Sequence, residues 1–111
     1  MLLGPAGSGQ RAKIINNAML SANMGIAMAA LDTAAALDIG RDAFVELINQ
    51  SSGRSFGFEV FSRLPSPAAF ATGAPLLLKD INLLKAILPD NPGAGELDAA
   101  AARFLAAANP T

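Results

Sequence analysis

Lys13 and Asn17 stand four residues apart, directly behind the glycine-rich entry Gly4-Pro5-Ala6-Gly7-Ser8-Gly9-Gln10. In a helix that spacing puts both side chains on one face, about one turn apart. An ammonium group donates protons or positive charge, and a carboxamide beside it orients an oxygen-bearing ligand. The pair therefore reads as a ligand-facing helix turn. A plainer reading stands beside it, with Lys13 as a solvated first-turn lysine and Asn17 as a buried amide bonded to backbone. Cations are disfavoured near a helix N-terminus, which weighs against an idle lysine there. Gly7-Ser8-Gly9-Gln10-Arg11-Ala12 also has the form G-x-G-x-x-A. A dinucleotide fingerprint needs a strand before it and a βαβ unit around it, and only Leu2-Leu3 precede this one. The P-loop pattern fails because Gln10 stands where a lysine should follow the glycine. What remains is a tight turn delivering a helix N-terminus, where free N–H groups and the dipole favour an anion.

Lys79-Asp80 is the second candidate, set in the apolar run Leu76-Leu77-Leu78 to Ile81. It reads either as a solvent-facing charge pair or as a lysine placed to reach a ligand phosphate. The remaining chemistry is narrow. The chain has no cysteine, histidine or tyrosine. Disulfides, thiolate chemistry and the commonest general base and metal ligand are therefore excluded, leaving Lys, Asp and Glu for acid–base work. A net charge of −1 provides no basic face for nucleic acid, and phenylalanine is the only aromatic. With 111 residues, 52% apolar and 15% charged, the chain fits one small folded domain, much of whose surface is meant to be covered.

The elements that must position these residues are all helical. Residues from Met1 to Gly9 read as a loop, with Ser8 as a cap. Gln10 to about Leu37 reads as one long helix, rich in Ala, Leu and Met and uninterrupted by proline. A helix so long and so apolar must be buried on more than one side, within the domain and against a neighbour. The small residues Ala18, Ala22, Gly25 and Ala29 either admit another helix closely or simply fill the core. The uncharged stretch from Ile14 to Leu31 approaches the roughly 20 residues of a membrane span. Asn16, Asn17 and Asn23 argue for a buried soluble helix instead. Met1-Leu2-Leu3 is too short for the apolar part of a signal peptide, so a cytoplasmic protein is expected.

Gly40 suits the left-handed position after the first helix. A second helix is predicted over Arg41 to Asn49. A third follows from about Arg54 to Arg63, capped by Ser52 or Gly53, with Phe44, Phe56, Phe58 and Phe61 forming a core cluster. Pro65-Ser66-Pro67 opens a loop to about Gly73. A fourth helix spans Ala74 to Leu88, with Pro75 in its first turn. Pro89 to Gly95 is read as a loop, and the last helix as about Glu96 to Ala107. No alternating strand pattern occurs, so the fold class is all-α, five helices built round a dominant first one.

Three motifs in order carry a family resemblance: Gly7-Ser8-Gly9-Gln10 leading to Lys13-Ile14-Ile15-Asn16-Asn17, then Asn49-Gln50-Ser51-Ser52-Gly53, then Lys79-Asp80-Ile81-Asn82-Leu83. Over about residues 4 to 88 the chain resembles the C-terminal helical domain of the β-hydroxyacid dehydrogenases. These are the 3-hydroxyisobutyrate and tartronate semialdehyde reductase group related to 6-phosphogluconate dehydrogenase. The resemblance implies a catalytic Lys13, a substrate-binding Asn17, and a Lys79 that lies against an NAD or NADP cofactor. It also implies a small hydroxyacid or semialdehyde substrate, a homodimer or higher homo-oligomer, and an N-terminal Rossmann domain absent from this chain, without which it is inactive. Asn16 stands where 6-phosphogluconate dehydrogenase carries a histidine, which favours a simpler hydroxyacid relative. Members often place an aromatic seven residues before the Lys-Asp pair; here that residue is Thr72, with Phe70 nearby. The alternative, from a different class, is a helical oligomerisation module without catalysis.

Overall fold

A computed structural model describes residues 7–110, and among them the chain forms five α-helices, one 3-10 turn and no strand. Helix α1 spans Ser8–Ala36. It is followed by α2 (Arg41–Asn49), α3 (Phe56–Arg63), a 3-10 turn (Pro67–Phe70), α4 (Ala74–Ile87) and α5 (Pro92–Ala108). The all-α architecture round a dominant first helix is the one expected. The 29 residues of α1 make a rod of about 43 Å at 1.5 Å per residue, close to the longest dimension of the domain, 48 Å. Helix α5 lies along it most extensively, while α3 and α4 cover further parts of its surface. By length and composition α1 could cross a membrane, but it is the central helix of this core.

Close approach of α5 explains the small residues of α1. Ala18, Ala22 and Gly25 are buried, and a Cβ at Gly25 would lie 1.9 Å from the Ala100 carbonyl oxygen. The approaching helix is therefore one from the same chain, and Ala29, which is exposed, takes no part. The aromatic core centres on fully buried Phe104, which receives the edges of Phe61 at 5.9 Å and Phe70 at 6.0 Å. Phe44 meets Phe58 edge-on at 6.3 Å. Phe56, expected in the same cluster, is 69% exposed instead, because it opens α3 on the side away from α1 while Gly57 and Phe58 are buried.

Several helix ends differ from expectation, each for a local reason. Of the loop expected from Met1 to Gly9, residues 1–6 lie outside the described residues. The α1 cap is Gly7, at φ 91°, so Ser8 is the first helical residue and not the cap. At the other end the left-handed residue is Asp38 (φ 60°), not Gly40. The Ile39 amide bonds back to the Ala34 carbonyl and the Asp38 amide to that of Ala35, closing a Schellman turn two residues early. Gly40 instead precedes α2 with extended backbone. Ser55, rather than Ser52 or Gly53, caps α3: its hydroxyl accepts from the Phe58 amide at 2.9 Å. Helix α5 begins four residues earlier than expected, at Pro92, because Asn91 accepts from the Ala94 amide at 2.9 Å and proline is well suited to the first helical position.

Candidate active site

Four residues turn a helix about 40° past one full turn, so Lys13 and Asn17 share one face of α1 near its N-terminal end. Lys13 is exposed and Asn17 half-buried. Lys13 is the sixth residue of α1, in its second turn. The dipole acts mainly within the first turn, so the N-terminal field says little about this lysine. No ion pair engages Lys13 or Lys79 among the described residues.

Among the described residues the Asn17 side chain makes no bond to backbone. Its Nδ2 donates to Asp80 Oδ2 of α4 at 2.7 Å, across 63 residues of sequence. This contact joins the first and third motifs in space. It also separates Lys79 from Asp80, which are not a solvent-facing pair. Lys79 is exposed, whereas Asp80 is only 9% exposed and lies with Leu77, Ile81 and Leu84 on the buried face of α4. Hydrogen bonds to charged groups contribute about 1.5–3 kcal/mol net, so this bond holds α1 and α4 in register as well as orienting the amide. The sequence singles out Asp80 only as the companion of Lys79, and its bond to Asn17 is what that reading lacks. Positions 77, 80, 81 and 84 follow the spacing of a helix's buried stripe, and that spacing was the available signal.

One turn below Asn17, Ser21 is fully buried and its hydroxyl has no hydrogen-bond partner among the described residues. The second motif, Asn49-Gln50-Ser51-Ser52-Gly53, ends α2 and leads towards the Ser55 cap of α3. There, Asn49, Arg54, Ser55, Phe56 and Glu59 line an open groove of about 500 Å³. Nearer Lys13 in sequence is a smaller apolar groove of about 160 Å³, lined by Arg11, Ile14, Ile15, Leu84, Ile87 and Leu88. Neither Lys13 nor Asn17 lines either groove. Among the described residues Lys13 is exposed and Asn17 partly so, and neither groove encloses them. Phe70 packs on Phe104 and over Gly73, which occupies its ring within the domain.

The sequence profile of the family described as NAD-binding of NADP-dependent 3-hydroxyisobutyrate dehydrogenase matches residues 7–110. One curated relative, the mitochondrial 3-hydroxyisobutyrate dehydrogenase of Drosophila melanogaster, is 32% identical over 93 aligned residues. That alignment covers 76% of this chain and 29% of the relative, so the chain corresponds to less than a third of the relative's length. No solved structure matches the chain.

Proposed function

The chain belongs to the NAD-binding domain family of NADP-dependent 3-hydroxyisobutyrate dehydrogenase, whose cofactor is NAD(P), and on that premise we propose that it is the helical, substrate-binding half of a β-hydroxyacid dehydrogenase. A dinucleotide-binding Rossmann domain, N-terminal to these residues in the parent protein, completes the site. The observation that carries this reading is the Asn17–Asp80 bond. It ties the Lys13–Asn17 face of α1 to the helix that bears Lys79, which supports reading the first and third motifs as parts of one site. The exposure of Lys13 supports the second half of the reading. An exposed ammonium does not by itself exclude water from a reacting carbonyl, and a second domain supplies the facing wall.

When bound, the nicotinamide supplies or accepts the hydride. Lys79 suits it, since its ammonium is exposed and carries no ion pair among the described residues. Lys13 gives a proton from Nζ to the substrate carbonyl oxygen as the carbonyl becomes an alcohol, and takes that proton back when the alcohol is oxidised. Asn17 binds and orients the substrate, a small hydroxyacid or semialdehyde. Choice between NAD and NADP rests with the other domain.

A homodimer is part of the same reading. Ile15, Met19 and Ile26 stand exposed along α1, and Leu83, Ile87 and Leu88 at the end of α4 and just past it, enough apolar surface to favour a covering partner. A cytoplasmic location belongs to the same reading, while the Drosophila relative is described as mitochondrial. The same apolar surface favours the second reading, a helical oligomerisation module without catalysis.

Lys13→Ala in the full-length protein separates the two. As a general acid–base, Lys13 is expected to contribute about 10²–10⁴-fold to turnover of NAD(P)H with small semialdehydes. The fold should be unaffected, because the side chain is exposed. Unchanged turnover would leave only the oligomerisation module. The 111-residue chain alone is expected to turn over no NAD(P)H.

A further inference from the structure

Resting on the dehydrogenase reading, we propose that Asp80 is a positioning residue that holds Asn17 in a single amide orientation, with Oδ1 turned outward as a hydrogen-bond acceptor and Nδ2 turned inward. A carboxamide has two ends of nearly equal shape and opposite function, two donors on nitrogen and an acceptor on oxygen. On an open face such a group is free to present either end. A carboxylate removes that freedom because it accepts and does not donate. With Asp80 Oδ2 2.7 Å from Asn17 Nδ2, reversing the amide would set oxygen against oxygen.

Asp80 is itself immobilised, being nearly buried on the face of α4 that carries Leu77, Ile81 and Leu84 into the core. Asn17 is half-buried, and the bond to Asp80 leaves the acceptor part of the amide without a partner among the described residues. That part is Oδ1. It complements the ammonium of Lys13 one turn away: a substrate meets a donor from Lys13 and an acceptor from Asn17, side by side and in fixed order. Without Asp80, the amide is free to turn its donor end outward and to swing out of line with Lys13.

The test is a double-mutant cycle in the full-length enzyme, with kcat and KM for the semialdehyde read separately. Asp80→Leu, which keeps the branched side-chain outline in a larger volume and removes the acceptor, is expected to lower kcat/KM by at least tenfold, mostly through KM. In the Asn17→Ala background the same change is expected to cost less than twofold, because the group it orients is gone. The reciprocal swap, Asn17→Asp with Asp80→Asn, rebuilds the bond with donor and acceptor exchanged and again leaves an oxygen facing outward. It is expected to recover at least tenfold over Asn17→Asp alone, and it keeps the question open to measurement if Asp80→Leu fails to fold. Equal losses from Asp80→Leu in both backgrounds, a loss below twofold in the parent, or no recovery by the swap would each overturn the proposal. Lys13→Ala, run in parallel, isolates the underlying reading. If turnover survives it, the dehydrogenase assignment fails; if turnover is lost while the cycle is additive, only the role of Asp80 fails.

Discussion

Asn17 Nδ2 and Asp80 Oδ2, 63 residues apart in sequence, lie 2.7 Å apart in the fold, the one side chain–side chain bond among the described residues that joins α1 to α4. It fixes how the Lys13–Asn17 face of the first helix meets the helix carrying Lys79. Because Asp80 sits among buried apolar neighbours while Lys79 next to it is exposed, one dipeptide serves two purposes: the carboxylate faces inward to Asn17 and the ammonium stays outside.

On the proposed role of Lys79 as a cofactor contact, its loss should act on cofactor affinity alone. Lys79→Ala in the full-length enzyme is expected to raise KM for NAD(P)H by about tenfold, the equivalent of about 1.4 kcal/mol. Its kcat at saturating dinucleotide should change little, because uniform binding is lost rather than transition-state contact. A fall in kcat with unchanged KM would place Lys79 in the chemistry rather than the binding.

Gly25 sets the distance between α1 and α5. Alanine normally favours a helix over glycine by about 1 kcal/mol, but here its Cβ would sit 1.9 Å from a backbone oxygen, that of Ala100, which no rotamer change can move. Overpacking of this kind costs about 1–3 kcal/mol, and more where backbone must shift. Gly25→Ala should therefore destabilise the domain by about 2 kcal/mol net, read as a lower melting temperature by circular dichroism. A variant as stable as the parent would mean that α1 and α5 do not approach this closely.

How far the fold was legible depends on whether the deciding contacts were local. Helix α2 was read to the residue, Arg41–Asn49, because its apolar spacing lies between Gly40 and the Gln50-Ser51-Ser52-Gly53 break. The start of α5 is less legible because Pro92, Gly93 and Gly95 read as loop punctuation, whereas Asn91 capping Ala94 makes the proline an opening residue. Lys13 and Asn17 were legible as a pair, since one helix turn relates them. Asp80 was not, because its partner lies on another helix and only the buried spacing of α4 hinted that it faces inward.

Asn91→Ala removes the side-chain acceptor that opens α5 and is expected to cost about 1 kcal/mol. The loss should concentrate in the first turn of α5, where faster amide hydrogen exchange at Ala94 and Gly95 would report it. Asn91→Ser, which keeps an acceptor at the cap, should recover most of the stability. Equal losses from the two substitutions would show that the Asn91 side chain does not hold this end.

Ser21 offers a prediction of the opposite sign. Its hydroxyl is fully buried and meets no hydrogen-bond partner among the described residues. A buried polar group left unpaired costs about 1–3 kcal/mol relative to one that is satisfied, and serine is also a poorer helix former than alanine. Ser21→Ala deletes one atom, leaves almost no cavity and removes the unpaired group. It should raise stability by about 0.5–1.5 kcal/mol, measured as a higher denaturation midpoint at unchanged m-value. Ser21→Val, which adds volume beside Ala18 and Met24 in the same packed face, should instead destabilise. If Ser21→Ala were destabilising, the hydroxyl would have to hold a partner, and the orientation of α1 one turn below Asn17 would depend on that bond as well as on Asp80.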